Sequence, residues 1–591
     1  MLVVLFIVMA ITILSLGFLS RSDVELACGR NMVLRTQIDY LAESGLEHAR
    51  GLILNPQDVE SEYWTGAAAQ QLVAGGTEYY DVEVVRDDSD PTDHCNYTID
   101  CNAYWLDAGE RIGRSEVTAQ LRLDPCVALW TGEDTTLWTG VTIYGDAYCD
   151  GDLTLIKNPT EPPEAKRVYG DVFADDLNGI IEGRWKPIAD LSLAWPRVTV
   201  ADFTSKYLTR PISDATLSDQ TFGPYDPMRV VCYRDGDLVL AGNVQITAML
   251  VVNGDLTVQA SGNNLTAAKN LPALLVTGDL IVATGGSLNV QGLAVVGGVG
   301  GVGCDTRINA GASGVSVLGG LFVQGALVET TADSSGNGRA GTLYGGPTWQ
   351  PSGGQINGAL QFDGQNDTVQ DMTAGTYLNG LSGITVAVWV RSDVTNQDRD
   401  ILFTRTPTGA DQELGLRYDR NGAAGGGVQG IKASIQTTSG FTQIESSSYV
   451  QTPSWQHLAL TWENDPNDSH LKLYINGAPN VLWYPGGPVF GTVTGVQKLM
   501  VGCGTKNQYW DGLLDDFRIY NRSLSAGEIS TVSAGGSVSG MICRWRLDES
   551  GSGVVVTAAP AKTAVNVWSE TGDVQKWGQA AGAFFRSIER K

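Results

Sequence analysis

Residues 236–258 read GDLVLAGNVQITAMLVVNGDLTV, and the GDLVL that opens this stretch returns at its end as GDLTV. Related segments begin at Gly278 (GDLIV), Gly297 and Gly319, which gives steps of 18, 24, 19 and 22 residues. Short apolar strands that recur at this period between Gly and Asp turns predict a β-solenoid, since one coil cannot bury its own apolar face and must stack on the next. The pattern covers 127–329 and favours a solenoid over the alternative, a sandwich with glycine-rich hairpins.

One glycine-rich segment of this region matches the consensus of a dinucleotide-binding motif. GVGGVG, residues 298–303, satisfies G-x-G-x-x-G and follows the apolar LAVV. The residues after it, CDTRINAGASG, are turn formers rather than the start of a helix. The strand–turn–helix context that dinucleotide binding requires is therefore missing, and the segment is interpreted as a turn.

Length and charge restrict the class of protein. A chain of 591 residues holds several domains, and its 72 glycines and 18% charged residues are typical of β-rich, turn-rich architecture. The net charge of −26 argues against binding nucleic acid or an anionic membrane surface. It fits a surface protein kept soluble by charge, or one with sites for divalent cations.

The nine cysteines contain no CxxC pair, so a zinc ribbon or thioredoxin-type motif is not predicted. In an exported protein, local disulfides Cys95–Cys101 and Cys126–Cys149 are plausible. Buried free thiols are the alternative, and the sequence leaves both readings open.

The chain begins with an uncharged apolar run. Residues 1–20 are long enough to cross a bilayer, and Arg21 is the first charge. The basic start and the A-x-A cleavage pattern of a secretory signal peptide are not seen, so we expect that this span is not cleaved from the protein. Apolar residues continue at three- and four-residue steps as far as Leu52, and Pro56 is the first proline. One helix over 1–54 is predicted, apolar all round at first and then apolar along one stripe.

The segment YLAESGLE, residues 40–47, resembles the amino-terminal helix of type IV pilins and of type II secretion pseudopilins. The resemblance implies a membrane anchor, pilin or pseudopilin subunits as partners, and a small α+β region at 55–126 that packs on the stripe. Major pilins carry a glutamate at the fifth mature position, which is Leu5 here, and a basic leader ending in glycine is absent. An accessory or tip subunit therefore fits better than a repeating one, and a plain single-span anchor is the alternative.

Residues 330–549 contain six motifs in a fixed order: ADSSGNGRAGTL, GALQFDGQNDTV, ITVAVWVRS, WQHLALTWE, LKLYINGAP and WDGLLDDFRIYNRSLSAGEI. Their alternating apolar and polar residues, separated by turn pairs such as Asn476-Gly477, predict antiparallel strands. The order resembles that of laminin G-like, concanavalin A-like jelly rolls. This resemblance implies a two-sheet sandwich that binds a glycan or a protein.

Some relatives within this wider fold are glycosidases, so a membrane-tethered glycan-processing enzyme is the alternative function. A retaining glycosidase needs two carboxylates about 5–5.5 Å apart. Glu463 and Asp465 lie in a polar hairpin loop, and the adjacent Asp548 and Glu549 face opposite sides of a strand. Neither His457 nor His470 has a serine or cysteine partner in a pattern typical of nucleophilic catalysis. No catalytic constellation is predicted, and a purely structural surface protein is a third reading.

Jelly rolls of this family begin with a W-x-L-D-E-like strand before the D-S-S-G-N-G loop. Here the residues before Asp333 are GALVETTA, and the missing strand occurs later as CRWRLDESGSG, residues 543–553. The sequence therefore predicts a circularly permuted jelly roll inserted into the solenoid, with Trp545 and Leu547 in the jelly-roll core. The host would resume at VVVTAAPAKTAVNVW, from 554, and close with WGQAAGAFFRSIERK.

A calcium site is predicted at one edge of the jelly roll. Calcium needs six to eight oxygen ligands, and the DSSGNG loop offers Asp333 and Asn337. The family resemblance places Asp515 and Asp516 beside that loop, and Asp515 is the favoured ligand of the adjacent pair. An Asx-turn with solvated aspartates is the alternative.

The sequence thus predicts a mainly β protein with an N-terminal transmembrane pilin-like α-helix, a β-solenoid-like middle and a jelly-roll β-sandwich. The domains expected are 1–54, 55–126, 127–329, 330–553 and a return segment, 554–591. The expected location is the bacterial cell envelope, anchored in the inner membrane with the bulk periplasmic or extracellular. The expected role is adhesion or recognition.

Overall fold

The structure is a computed structural model of the chain. It describes residues 1–54, 61, 63–124, 126–156, 162, 165–188, 199–224, 229–298, 303–404, 414–420, 430–446, 451–480, 487–504, 508–558, 567–568, 574–575 and 582–590. Most of GVGGVG and parts of the two C-terminal segments named above lie outside these residues. The predicted fold class, mainly β with a long apolar helix at the N-terminus, is confirmed.

The first element is a helix of 53 residues, Leu2–Leu54. Its N-terminal half is exposed and apolar, and by length and composition it can cross a membrane, as an anchor or as a signal sequence. Its C-terminal half buries one stripe: Ile38, Leu41, Ala42, Leu46, Ala49 and Ile53. Gly45 lies within this stripe, where a Cβ would come 2.3 Å from Cys101 Sγ, so the glycine allows the helix to approach the sheet closely.

The helix packs on an antiparallel sheet of five strands, which we call the head sheet. Its strands, in spatial order, are Gly66–Gln71, Glu78–Arg86, Asn96–Asp107, Glu110–Asp124 and Gly582–Arg590. The last strand comes from the C-terminus and pairs with Glu110–Asp124. Every other domain of the protein is therefore inserted between two neighbouring strands of the head sheet.

One disulfide links the head sheet to the solenoid, and the predicted pairing is wrong. Cys95 is bonded to Cys126, whereas Cys101 and Cys149 are buried free thiols. Asn96–Asp107 and Glu110–Asp124 form a hairpin, and Cys95 and Cys126 flank its open end. Cys101 lies six residues further along the same strand, too far from Cys95 for a disulfide.

The middle region is a stack of coils with parallel pairing between successive coils, which confirms a solenoid rather than a hairpin sandwich. The strands of its first face are Val127–Thr131, Asp146–Cys149, Val172–Phe173, Trp185–Lys186, Thr209–Pro211, Val231–Asp235, Met249–Asn253, Leu274–Val276, Ala294–Val296 and Leu321–Val323. Those of the second face are Thr135–Leu137, Leu153–Leu155, Leu177–Asn178, Thr216–Leu217, Leu238–Leu240, Leu256–Val258, Leu280–Val282, Thr306–Asn309 and Leu327–Thr331. Those of the third face are Val141–Tyr144, Thr221–Phe222, Gln245–Thr247, Asn263–Thr266, Ser287–Gln291, Gly314–Leu318 and Val554–Thr557.

The chain enters this stack in the middle. It builds a short wing, residues 127–188, outward to one end, and then a long wing, 209–323, from the other end back to the centre. Leu321 consequently lies in register with Leu129, on the strand where the solenoid began. A short helix, Val200–Thr204, lies in the connection between the wings. The aliphatic side chains of both wings share one continuous core.

The aspartates of the repeated Gly-Asp pairs form a ladder along the long wing. Asp237 Oδ1 accepts a hydrogen bond from the amide of Asp255, Asp255 from that of Asp279, and Asp279 from that of Asp305, each at 2.9 Å. A Cβ on Gly278 would lie 2.1 Å from Asp255 Oδ1, so the glycine leaves room for the carboxylate below it. Steric and hydrogen-bonding requirements together therefore explain the repeated GD motif.

The jelly roll is inserted within the central coil of the solenoid, between Leu327–Thr331 and Val554–Thr557. The return strand lies between Gly314–Leu318 and Val141–Tyr144, and so joins the two wings on the third face. On the second face, Leu327–Thr331 pairs with the first jelly-roll strand, Gly341–Tyr344. One sheet therefore runs without interruption from the long wing into the jelly roll.

Two sheets enclose the jelly-roll core. The first continues from the solenoid, in the spatial order Gly341–Tyr344, Thr368–Asp371, Leu499–Val501, Arg399–Thr404, Gly415–Asp419, Gly430–Thr437 and Gly440–Glu445. The second, which we call the front sheet, has the order Thr348–Gln350, Ala359–Asp363, Asp511–Tyr520, Gly383–Ser392, Gln456–Glu463, Lys472–Ile475 and Ala478–Pro479. The helix Gly375–Leu378 packs at the core, and Ala526–Ser533 covers part of the front sheet's outer side. A C-terminal hairpin pairs Val567–Trp568 with Val574–Gln575.

The displaced strand, Met541–Trp545, pairs with Asp511–Tyr520 of the front sheet. Trp545 and Leu547 are fully buried in the jelly-roll core, as the sequence predicts. The indole Nε1 of Trp545 donates to the carbonyl of Arg339 at 2.7 Å, which ties the strand to the DSSGNG loop. The permuted strand thus belongs to the jelly roll and not to the solenoid.

Two glutamates, the buried Glu329 and the half-buried Glu549, stabilise the seam where the jelly roll leaves and rejoins the solenoid. Glu329 accepts hydrogen bonds from Ser552, through both its amide and its hydroxyl, and from Trp349 Nε1. Glu549 accepts from Thr331 Oγ1 and from the Ala332 amide, at 3.0 and 3.1 Å. Burial raises the pKa of Glu329 to about 7 and also raises that of Glu549. The segments in which the chain leaves and rejoins the solenoid are therefore held together by two carboxyl groups whose pKa values lie above the usual range.

Candidate functional site

The predicted calcium ligands in the DSSGNG loop are engaged by protein donors. Asp333 accepts hydrogen bonds from the amides of Ser335, Asn337, Arg339 and Arg544, and from the Ser335 hydroxyl. The Asn337 side chain donates to the carbonyl of Ile542. Both carboxylate oxygens of Asp333 therefore accept hydrogen bonds from the loop and from the displaced strand. This arrangement corresponds to the Asx-turn that the sequence offered as the alternative to a calcium site.

The adjacent aspartates of the front sheet have different environments. Asp516 pairs with the buried guanidinium of Arg518 and with Nε of Arg544. Asp515 Oδ2 accepts from the Ile356 amide at 2.7 Å, and its Oδ1 is buried without a partner among the described residues. Burial, opposed by the Ile356 amide, raises the pKa of Asp515 to about 7.

These contacts do not fit a calcium ion on the predicted set. Of the three carboxyl groups, only that of Asp515 has an oxygen free of protein donors. Within the described part of the chain, no group of three His, Cys, Asp or Glu side chains is arranged to hold a metal ion. The arginines beside Asp516 already supply the positive charge that a metal would provide.

The residues considered for catalysis are dispersed. Glu463 is exposed at the end of its strand, and Asp465 accepts from the Asn467 amide in the following turn. Asp548 accepts from Asn357, and Glu549 lies in the seam. These positions serve turn and seam contacts.

The two histidines differ in environment. His470 is exposed and pairs with Asp468. His457 lies in register with Trp389, which in turn lies in register with Asp515, so the three side chains form a row across the front sheet. His457 Nδ1, Trp389 Nε1 and Asp515 Oδ1 have no partner among the described residues. Burial lowers the pKa of His457 to about 4, so its imidazole is neutral. His457 and Asp515 are buried and Trp389 is half-buried, so the two titratable groups of this row lie inside the domain.

A large cavity that opens to solvent lies between the jelly roll and the short wing. It is a cleft of about 860 Å³, within the range of ligand sites. Its jelly-roll wall comes from the edge of the front sheet and the turn after Asp363: Gly345, Gly346, Thr348, Gln350, Gln361, Phe362, Asp363, Gln365, Asn366, Asp367 and Asp511. Its solenoid wall comes from two second-face strands of the short wing and the residues after them: Thr154, Leu155, Ile156, Asn178, Gly179 and Ile180.

Strand register explains why the carboxylates of the cleft lie together. Asp363 ends its strand directly opposite Asp511, the first residue of the neighbouring strand. The turn that follows closes on itself, because Asp367 Oδ2 accepts from the Asp363 amide and Asp363 Oδ1 accepts from the Gln365 amide, both at 2.8 Å. Three carboxyl groups thereby face one part of the cleft.

Burial changes the titration of two of these carboxyl groups. Asp367 is 3% exposed, and burial together with the nearby Asp363 raises its pKa to about 7. The pKa of Asp511 is also raised by burial, although Arg399 Nη2, 3.8 Å from its Oδ2, opposes the shift. Asp367 is therefore partly protonated near neutral pH and can both donate and accept hydrogen bonds there.

Amide and apolar groups complete the cleft. Gln361 donates to Asp393 through its Nε2, which fixes the orientation of its amide. Gln350, Gln365 and Asn366 are exposed at the rim. Across the cleft, Ile180 is 37% exposed. Oriented amides and carboxyls beside an exposed aliphatic surface can hydrogen-bond hydroxyl groups while an apolar face packs against the isoleucine.

The sequence contained only part of the signal for this cleft. Gln361 and Asp363 belong to the motif GALQFDGQNDTV, which identified the jelly roll but gave no role to its polar residues. The solenoid wall had no local signal, because Ile156 and Asn178 reach the cleft only through the insertion of a domain that begins about 150 residues later.

Comparisons with known proteins agree with the fold of this region. Residues 363–530 match the family profile described as the concanavalin A-like lectin/glucanases superfamily, so the chain contains a laminin G-like, concanavalin A-like jelly roll. The matched segment begins at Asp363, in the wall of the cleft. No curated protein matches the chain.

Several solved structures are similar to the chain at low identity. Domain 4 of AbnA, a GH43 extracellular arabinanase from Geobacillus stearothermophilus, solved with arabinotriose, is 20% identical over 35% of this chain and 98% of that one, with a TM-score of 0.26. The Ruminococcus gnavus IT-sialidase CBM40, bound to α2,3 sialyllactose, is 17% identical over 30% and 96%, with a TM-score of 0.24. A heptameric SAP-like pentraxin from Limulus polyphemus is 15% identical over 36% and 84%, with a TM-score of 0.21.

Proposed function

We propose that the protein is a membrane-anchored, surface-exposed recognition protein whose jelly roll binds a glycan for adhesion. The observation that carries the proposal is the coincidence of two features. The lectin/glucanase profile begins on the strand that forms the wall of the cleft, and that wall presents oriented amide and carboxyl groups to solvent. A protein ligand is the alternative occupant of the same surface.

The anchor we propose is pilin-like. The helix Leu2–Leu54 exposes its apolar half and packs its second half on an antiparallel sheet. This division supports an accessory subunit of a pilus or secretion pseudopilus in a bacterial envelope, with the bulk of the chain periplasmic or extracellular. The disulfide Cys95–Cys126 and the net charge of −26 suit an exported protein.

We further propose that the cleft binds without turnover. Arg399 pairs with Asp511, and the Asp363 amide donates to Asp367, so protein groups already engage two of the three carboxyl groups. A glycan-processing enzyme would require one carboxylic acid and one carboxylate at a set separation on either side of the scissile bond. The experiment below separates the two functions, since hydrolysis releases new reducing ends.

The test uses the full chain in lipid nanodiscs on a glycan array, followed by titration with the oligosaccharides that bind. Gln361→Ala, in the cleft, should weaken binding at least tenfold. Gln443→Ala, on the opposite edge of the jelly roll, is the matched control and should bind as the wild type does. Binding without release of reducing ends supports the proposal, whereas steady release supports the enzyme. No binding by a folded protein, or equal binding by both variants, contradicts the proposal.

Membrane anchoring is tested separately in the native bacterium. The full chain should fractionate with membranes or with sheared surface filaments, and added protease should reach the jelly roll in intact or osmotically opened cells. Recovery of the full chain in the soluble cytoplasmic fraction would contradict the envelope location.

A further inference from the structure

The cleft is built by two domains, and their contact fixes its width. Gly346, at the base of the jelly-roll wall, lies so close to the short wing that a Cβ would be 2.3 Å from Ile156 Cδ1. The jelly roll is also tied to the solenoid at the seam, through Glu329 and Glu549. The short wing is therefore held against the jelly roll as a fixed second wall of the cleft, rather than serving only as a stalk.

The jelly-roll wall of the cleft contains a buried carboxyl group. Asp367 is almost completely buried, and its Oδ2 accepts from the Asp363 amide. Asp367 also lines the cleft. A carboxyl oxygen has two lone pairs, so this group can accept a further hydrogen bond from a donor of a ligand.

The charged residues that the structure describes in the walls of the cleft have one sign. Asp363, Asp367 and Asp511 face the cavity, and none of its described lining residues is Lys, Arg or His. The nearest guanidinium, that of Arg399, is directed at Asp511. A ligand carboxylate or sulfate would enter this field without a counter-charge, whereas uncharged hydroxyl groups can donate to the carboxyl oxygens.

We propose that this composite cleft takes an uncharged oligosaccharide, held between the jelly roll and the short wing of the solenoid, and rejects acidic glycans. The proposal rests on the function proposed above and names the ligand class and the second wall. Hydroxyl groups of the sugar pair with Asp367 and Gln361 on one side. The apolar face of a sugar ring packs on the exposed Ile180 of the other side.

The first arm of the test measures ligand class. The full chain in nanodiscs is titrated with hexasaccharides of glucose, glucosamine and glucuronic acid, and screened on an array of neutral, amino and acidic glycans. Neutral glycans should bind at least tenfold more tightly than acidic glycans of the same length. Asp511→Asn should reduce this discrimination, and Asp107→Asn, in an exposed turn of the head sheet, should leave it unchanged. Tighter binding of acidic glycans would overturn the proposal while leaving the general function intact.

The second arm measures the contribution of the solenoid wall. Ile180→Asp should weaken binding of the neutral glycan at least tenfold, because it replaces the packing surface with a charged group that must be desolvated. Ile112→Asp, at an equally exposed position of the head sheet (38% exposed), is the matched control and should have no effect. If Ile180→Asp and Asn178→Ala both bind as the wild type does while Gln361→Ala does not, the site belongs to the jelly roll alone and the composite cleft is wrong. Loss of all glycan binding by the folded wild type would instead contradict the proposed function.

Discussion

Replacing Trp545 by alanine should destabilise the jelly roll strongly, because the permuted strand contributes this side chain to the core. Trp545 is fully buried beside Phe517, with ring centroids 5.2 Å apart. Truncating a buried tryptophan costs about 3–5 kcal/mol. Losing its hydrogen bond to the Arg339 carbonyl adds about 1 kcal/mol. The expected loss is therefore about 4–6 kcal/mol, which lowers the melting temperature of a domain of this size by about 8–24 °C, at about 2–4 °C per kcal/mol.

Differential scanning calorimetry of the full chain in detergent, combined with hydrogen exchange, measures this loss. Exchange should accelerate in the jelly roll and remain slow in the long wing of the solenoid. Phe490→Ala, at a 41% exposed position of the same domain, is the control and should shift the melting temperature by little. If Trp545→Ala shifts the jelly-roll transition no more than Phe490→Ala does, the permuted strand is not part of that core.

Three further predictions address the seam, the ladder and the disulfide. Because burial raises the pKa of Glu329 from 4.5 to about 7, the folded state retains its proton where the unfolded chain has lost it. Glu329 should therefore contribute a fall in stability of about 3 kcal/mol as the pH rises from about 4.5 to 7; denaturation midpoints across this range should fall less in Glu329→Gln than in the wild type, because Glu549, Asp367 and Asp515 still contribute, and an equal fall in both would contradict the prediction. Asp279→Ala should cost about 1–2 kcal/mol in thermal unfolding, since it leaves the Asp305 amide unpaired, whereas Asp279→Asn, which keeps the accepting oxygen, should cost less; equal losses would contradict the ladder. Replacing Cys95 and Cys126 by serine should destabilise the protein by about 3–4 kcal/mol, as expected for a bond that closes a loop of this length, and non-reducing peptide mapping that recovers Cys95–Cys101 instead would refute the pairing.

The local features of the fold were predictable from the sequence, because their physical causes are local. The GD repeat predicts stacked coils, and the structure shows that each aspartate bonds to the next coil while each glycine makes room for it. The misplaced W-x-L-D-E-like strand predicts that Trp545 and Leu547 enter the jelly-roll core, because a strand that completes a sandwich can lie at either end of the chain. The stripe that ends at Ile53 predicts the packing of the helix on a sheet.

The order of the coils was not predictable in the same way. Leu129 and Leu321 lie in register on paired strands although almost two hundred residues separate them. Parallel strands of similar composition contain no sequence feature that specifies which strand each of them pairs with. The disulfide was predicted wrongly from proximity in sequence, whereas the register of the hairpin brings Cys95 to Cys126. Pairing across a hairpin follows from register and not from spacing along one strand.

The candidate site was the least predictable part. Asp333 and Asp516 have the residue types that calcium prefers, yet backbone amides and arginines occupy their oxygens. Composition alone does not reveal which acceptors are already paired. The cleft required the position of the jelly roll relative to the short wing, and Asn178 and Asp367 meet there only because one domain is inserted into the other.

The most direct test of the proposed glycan site is photo-crosslinking with a bound neutral oligosaccharide. The full chain in nanodiscs is irradiated with a hexasaccharide probe that carries a photoreactive group, and the crosslinked peptides are identified by mass spectrometry. Crosslinks should appear in peptides from both walls, around 345–367 and around 154–180, and excess unlabelled glycan should suppress them. Suppressible crosslinks confined to other surfaces of the protein would contradict the account.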